Sequence, residues 1–247
     1  MQQEIDNAYI VRTKAVSGCF SMFMLMFGIT FTPLFFTRSA QLMESGLLLP
    51  LMFVLEFLIL VPLYYLFFRK RDGLGKGTLS AKWFVILFGA ILIIQFLLPA
   101  MLGMRKTEAW VMTQVSLHNY AFWLTNLSLI FLVPVYEEIV FRGCLFNAFQ
   151  YWFNDKVWAT SLAVSTLFAL MHTQYADIRT LLMLFLISQV LIVARVKSKG
   201  LLMPVTPAYI NECDGDRDTI WRSGLIILRV IFTAFGSDIV SVAHHYR

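Results

Sequence analysis

The chain has 247 residues, 59% of them hydrophobic and only 14% charged, with a formal net charge of +5. A water-facing surface needs roughly 25% charged residues, so this composition excludes a soluble globule, and its apolar content excludes intrinsic disorder. Three widely spaced cysteines, Cys19, Cys144 and Cys213, exclude a disulfide-stapled secreted domain, which leaves a polytopic membrane protein built as one bundle.

In chain order, the predicted elements are helices read from where charge is absent. Residues 15–37 are uncharged and exceed the roughly 20 residues that cross a hydrocarbon core as a helix. Residues 45–68 are equally apolar apart from Glu56, and residues 83–104, 118–136 and 157–176 carry no Asp, Glu, Lys or Arg. Residues 180–194 are short, and become a span only if Ile178 and the basic end near Arg195 serve as snorkelling flanks. Residues 223–240 are a weaker seventh, interrupted by Arg229 and Asp238. The first apolar run is too long for a signal peptide and lacks a small-residue cleavage site. The predicted fold class is therefore all-α, a polytopic transmembrane helix bundle with six to seven spans.

Orientation follows from the basic loops. Loop 69–82 carries Arg69, Lys70, Arg71, Lys76 and Lys82 against Asp72, and Arg195, Lys197 and Lys199 follow the sixth span with no acid nearby. Basic loops stay in the cytoplasm, and an even number of spans between these two puts both there, with the amino terminus. The net charge then needs no nucleic acid to explain it. No Gly-rich phosphate loop, heptad seam or long repeat is visible.

Ionisable groups at membrane depth are costly and mark candidate sites. Glu56 stands alone in its span, where the plain reading is a neutral or water-reaching carboxyl and the sharper one a catalytic role. His118, beside Asn119 and Tyr120, reads as an interfacial polar cap. The dense cluster is Tyr136-Glu137-Glu138-Ile139-Val140-Phe141-Arg142, just after Pro134. Adjacent helical side chains point about 100° apart, so the two carboxylates cannot serve one partner. Arg142, four residues on, can hold Glu138 and leave Glu137 to face something else. An interfacial charge cluster closing a span is the plain alternative. Phe168 and His172 are also four apart and share a helix face, and a bent segment at 143–156 would bring His172 back to the paired carboxylates. Carboxylate plus imidazole is the minimum needed to hold and deprotonate a water, directly or through a metal.

Glu-Glu-x-x-x-Arg at 137–142 followed by Phe-x-x-x-His at 168–172 resembles the first two motifs of the CPBP intramembrane proteases, the group containing CAAX prenyl endopeptidases and bacteriocin-processing and immunity proteins. The resemblance extends over residues 80–205. It implies an intramembrane endopeptidase, of glutamate or metallo type, hydrolysing a peptide bond in or near the membrane. The catalytic residues it implies are Glu137, Glu138 and His172, with Glu137 and His172 activating the water, Arg142 supporting Glu138, and Phe168 packing. Zinc, if bound, would sit on Glu137 and His172; a catalytic zinc takes three protein ligands, so a metal-free mechanism is favoured. The partners expected are a peptide or membrane-protein substrate and the lipid bilayer, without nucleic acid, in a bacterial inner membrane.

The family's third motif, His followed four residues later by Asn on a late helix, is missing. After Lys199-Gly200-Leu201-Leu202-Met203-Pro204 the chain runs into Glu212-Cys213-Asp214-Gly215-Asp216-Arg217-Asp218, an abrupt change of composition, and His244 and His245 stand far away in what reads as a solvated tail. Read one base out of frame, allowed codons for Pro207 to Trp221 can spell Leu-His-Ile-Leu-Met-Asn-Val-Met-Ala-Thr-Val-Thr-Leu-Phe, an apolar helix with His and Asn four apart. The expected organisation is thus residues 1–82 as an N-terminal helix pair with a basic loop, 83–205 as a CPBP-like core, and 206–247 as a divergent, frame-shifted tail that leaves the protease impaired. The alternatives are a small transporter or channel using Glu56, Glu137 and His172 as an ion or proton relay, and a non-catalytic immunity-type membrane protein.

Overall fold

Apolar chain at membrane depth must satisfy its backbone internally, and a helix does so within one segment. The computed structural model describes residues 2–71, 73–104 and 119–205, and among them the regular structure is helical, without strands. Helix α1 (Gln2–Thr30) leads through a tight turn at Thr32–Phe35 to α2 (Ser39–Glu44) and α3 (Leu48–Leu63), which runs into a π turn at Tyr64–Phe68. Helix α4 (Ala81–Leu92) likewise passes through a π turn at Ile93–Leu97 into α5 (Leu98–Met101). Pro62 and Pro99 lie beside these wide turns, where their missing N–H groups loosen the helical ladder. The second half is α6 (Asn119–Phe131), α7 (Val133–Glu137), a π segment Glu138–Leu145, α8 (Phe146–Trp152), α9 (Val157–Leu170) and α10 (Ile178–Ser198).

Three helical stretches of 21 residues are long and apolar enough to cross a membrane: Leu48–Phe68, Ala81–Met101 and Ile178–Ser198. Val16–Thr30 and Val157–Leu170 are shorter apolar helices. Large side chains such as Leu58, Leu66, Val85 and Trp158 are exposed on these elements, as a hydrocarbon-facing surface requires.

Two expectations need correction. The uncharged stretch 118–136 is not one continuous helix: the chain breaks at Leu132, and Pro134 occupies the first turn of α7, where a missing N–H costs nothing. Arg195, expected to snorkel, is only 6% exposed. Its Nε donates to the Arg142 carbonyl at 2.6 Å and its Nη2 to Asn147 Oδ1 at 2.7 Å. Gly73 closes over it so tightly that a Cβ there would lie 2.2 Å from the guanidinium. His118, the weaker seventh span and the tail from Thr206 lie outside the described residues.

The core joins α1 to the π segment, with Phe23 edge-on to Phe141 at 5.9 Å and buried Cys19, Met22, Cys144 and Leu145 in the same cluster. A tight turn with left-handed Asn154 and Asp155 reverses the chain from α8 into α9. Helices α9 and α10 are tied by Ser161, whose hydroxyl donates to Gln189 Oε1 at 2.5 Å, and by Gln189 Nε2 donating to the Ser161 carbonyl at 3.2 Å. The two basic loops meet: Thr78 N donates to the Ser198 carbonyl at 2.8 Å and Leu201 N to the Gly75 carbonyl at 3.0 Å. Gly77, at φ +70°, passes so close that a Cβ there would lie 2.4 Å from the Ser198 carbonyl oxygen.

Candidate active site

The paired carboxylates fall where α7 widens into the π segment, and the helical turn sends them apart. Glu138 turns inward, 1% exposed, and its Oε1 meets Arg142 Nη1 at 3.0 Å. Both groups are fully enclosed, so each depends on the other for charge balance. Arg142 lies with its Cζ 4.2 Å from the centroid of the Phe168 ring, a cation–π contact that covers the face of the guanidinium. Phe168 itself is edge-on to Phe141 at 5.1 Å.

Glu137 turns the other way, toward His172. The His172 Nδ1 is 2.7 Å from the Phe168 carbonyl. A carbonyl oxygen can only accept, so Nδ1 carries the proton and, in the neutral imidazole, the lone pair sits on Nε2. That Nε2 lies 3.9 Å from Glu137 Oε1, too far for a direct hydrogen bond and close enough for one water to reach both. Phe168 therefore does more than pack: its ring, 4.6 Å from that of His172, and its carbonyl orient the imidazole from one residue.

The gap opens on a cavity of about 240 Å³. Tyr136, Glu137, Phe141, Met171, His172 and Gln174 line one side. Met26 and Thr30 from α1 and Leu49, Met52, Phe53 and Glu56 from α3 line the other. Glu56 thus belongs to the same space as Glu137 and His172, which nothing in its sequence neighbourhood placed there. It is 6% exposed; the Thr30 hydroxyl donates to its Oε1 at 3.2 Å, and Tyr136 lines the same cavity. The signal available in advance was its isolation as an acid in an apolar span.

As a metal site the donor set is short. Glu137 Oε1 and His172 Nε2 converge, but among the described residues no three His, Cys, Asp or Glu side chains gather as a metal would need. A catalytic zinc takes three protein ligands and one open position, which these residues do not supply.

Residues 119–207 match the family described as Type II CAAX prenyl endopeptidase Rce1-like. The chain is also 42% identical over 82 residues to an uncharacterized 24.3 kDa protein of Escherichia coli, a stretch covering 33% of this chain and 38% of that protein, well under half of either. No solved structure matches the chain.

Proposed function

We propose that this integral membrane protein, whose residues 119–207 match the Rce1-like family of type II CAAX prenyl endopeptidases, is a CPBP-type intramembrane endopeptidase hydrolysing a peptide bond at membrane depth with Glu137 as general base. The observation that carries the reading is the 3.9 Å gap between Glu137 Oε1 and His172 Nε2. A water in that gap donates one proton to each acceptor and turns its lone pair outward. Glu137 takes the first proton as the oxygen attacks the scissile carbonyl carbon, and returns it to the amine as the C–N bond breaks. His172 Nε2 holds the second proton and fixes the line of attack. Glu138 and Arg142 stay out of the proton transfer and hold the π segment on which Glu137 sits.

The proposed mechanism runs on Glu137 and His172 without a metal. It does need a donor for the oxyanion, the role the missing third motif would fill, so the chain as written is an impaired enzyme. Loss of one such donor costs about 10²- to 10³-fold in rate. The substrate is a peptide or a membrane protein, reached from a bacterial inner membrane crossed by six to seven spans. The basic charge of the two loops favours a cytoplasmic amino terminus, and their contact supports only that both lie on one side.

The gathering of Glu56, Glu137 and His172 in one cavity favours a second reading, a proton relay. Purified full-length chain, reconstituted in liposomes and tested against a peptide library and for proton flux, separates the two. Peptide cleavage without flux supports the protease; flux without cleavage overturns it.

A further inference from the structure

The cavity holds an acidic side chain, Glu56, that the reaction does not use. Two of its lining side chains are carboxylic acids, Glu56 and Glu137, and no arginine or lysine lines it among the described residues. The Arg142 guanidinium is turned to Glu138 and Phe168. Glu137 has His172 and the water-sized gap beside it. Among the described residues, Glu56 accepts from the neutral Thr30 hydroxyl and lies in the same cavity lining as Tyr136, with no cation beside it. Hydroxyls do not compensate an ionised carboxylate, so the ionised form of a buried acid among apolar walls is favoured most by an arriving cation. Met26, Met52 and Phe53 line the same cavity as Glu56, apolar and, for the methionines, adaptable in shape. Such a lining suits a long aliphatic stem ending in a charge.

From this geometry we infer that Glu56 forms a specificity subsite for a basic side chain, a lysine in the simplest case, beside the scissile bond of the peptide. The inference rests on Glu137 and His172 being the reacting pair. Glu56 touches the substrate's side chain in this arrangement but no reacting atom, so it selects the substrate and does not perform the chemistry. The acid end of the cavity comes from α1 and α3, outside the residues 119–207 that match the family. The charge preference is therefore a property built by this chain's own amino-terminal helices. A free peptide carboxylate or an acidic side chain finds no cation to pair with in the same space among the described residues.

The test reads binding, without turnover. Short labelled apolar peptides, identical except for a central lysine, norleucine or glutamate, are titrated by fluorescence anisotropy against the full chain in nanodiscs of zwitterionic lipid. The lysine peptide should bind about tenfold tighter than the norleucine peptide, as a charge-assisted hydrogen bond provides, and the glutamate peptide weakest. Glu56→Gln, which keeps the hydrogen-bonding shape, should bring the lysine and norleucine peptides together. Equal binding of lysine and norleucine peptides to the unmodified chain, or a lysine preference that survives Glu56→Gln, overturns the assignment. Cleavage of the bound peptides is scored separately and bears on hydrolysis alone.

Discussion

The Phe168 carbonyl oxygen lies 2.7 Å from His172 Nδ1, one helical turn back along the same chain. This contact decides which imidazole nitrogen faces Glu137, and so whether the pair can hold a water. The Phe168 ring also covers Arg142, so one side chain links the buried ion pair to the Glu137–His172 pair.

Phe168→Ala should accordingly destabilise the protein by about 3–5 kcal/mol, the usual loss for a buried phenylalanine. Phe168→Leu, which refills most of the volume, should cost less than half as much. Unfolding in mixed micelles under denaturing detergent, followed by tryptophan fluorescence, measures both. Similar losses for the two variants would show that the ring's place over Arg142, and not its volume, dominates.

Arg142 and Glu138 are 0% and 1% exposed. Arg142→Ala leaves a carboxylate buried without its partner and should cost about 3–5 kcal/mol. The double change Glu138→Gln with Arg142→Gln removes both charges and should recover part of that loss. A double-mutant cycle with no coupling would mean that the contact contributes nothing beyond shape.

The meeting of loop 69–82 with the chain at Ser198–Leu202 requires both on one side of the membrane. Reporter fusions after Lys76 and Lys199 should both read cytoplasmic, and a fusion at Asp177 external. Gly200→Ala should weaken the junction by about 1–3 kcal/mol, because a Cβ at that glycine would lie 2.3 Å from the Gly77 nitrogen. Opposite readings at Lys76 and Lys199 would break this arrangement.

What could be read in advance was local. Glu138 with Arg142 and Phe168 with His172 are pairs at helical spacing, so their contacts follow from one turn of helix. The turn at Asn154 and Asp155 that returns α9 to the carboxylates fell inside the stretch expected to bend. Glu56 was visible as an anomaly but its destination was not, because the approach of α3 to α7 is tertiary and leaves no periodic trace. Arg195 misled for a related reason: a basic residue at the end of an apolar run reads as a loop charge, and only the Arg142 carbonyl, Asn147 and the fold of Gly73 over it explain its burial. The break at Leu132 was foreshadowed by Pro134, two residues on.

The gene decides whether residues 206–247 are read out of frame. The shifted reading requires GCA at Ala208 and GAA at Glu212, and other codons at either position exclude it. If the codons agree, a chain with the frame restored from residue 207 should hydrolyse peptide about 10²- to 10³-fold faster than the chain as written.

The most direct measurement of the central claim is peptide hydrolysis by the full chain and its frame-restored form in proteoliposomes, each compared with Glu137→Gln and His172→Ala. Loss of the general base or of its water-holding partner should lower the rate by about 10²- to 10⁴-fold, with membrane insertion and detergent stability unchanged. Full hydrolysis by Glu137→Gln in a form that is demonstrably active would contradict the proposed role of Glu137 and with it the proposal that a water bridges the 3.9 Å gap to His172.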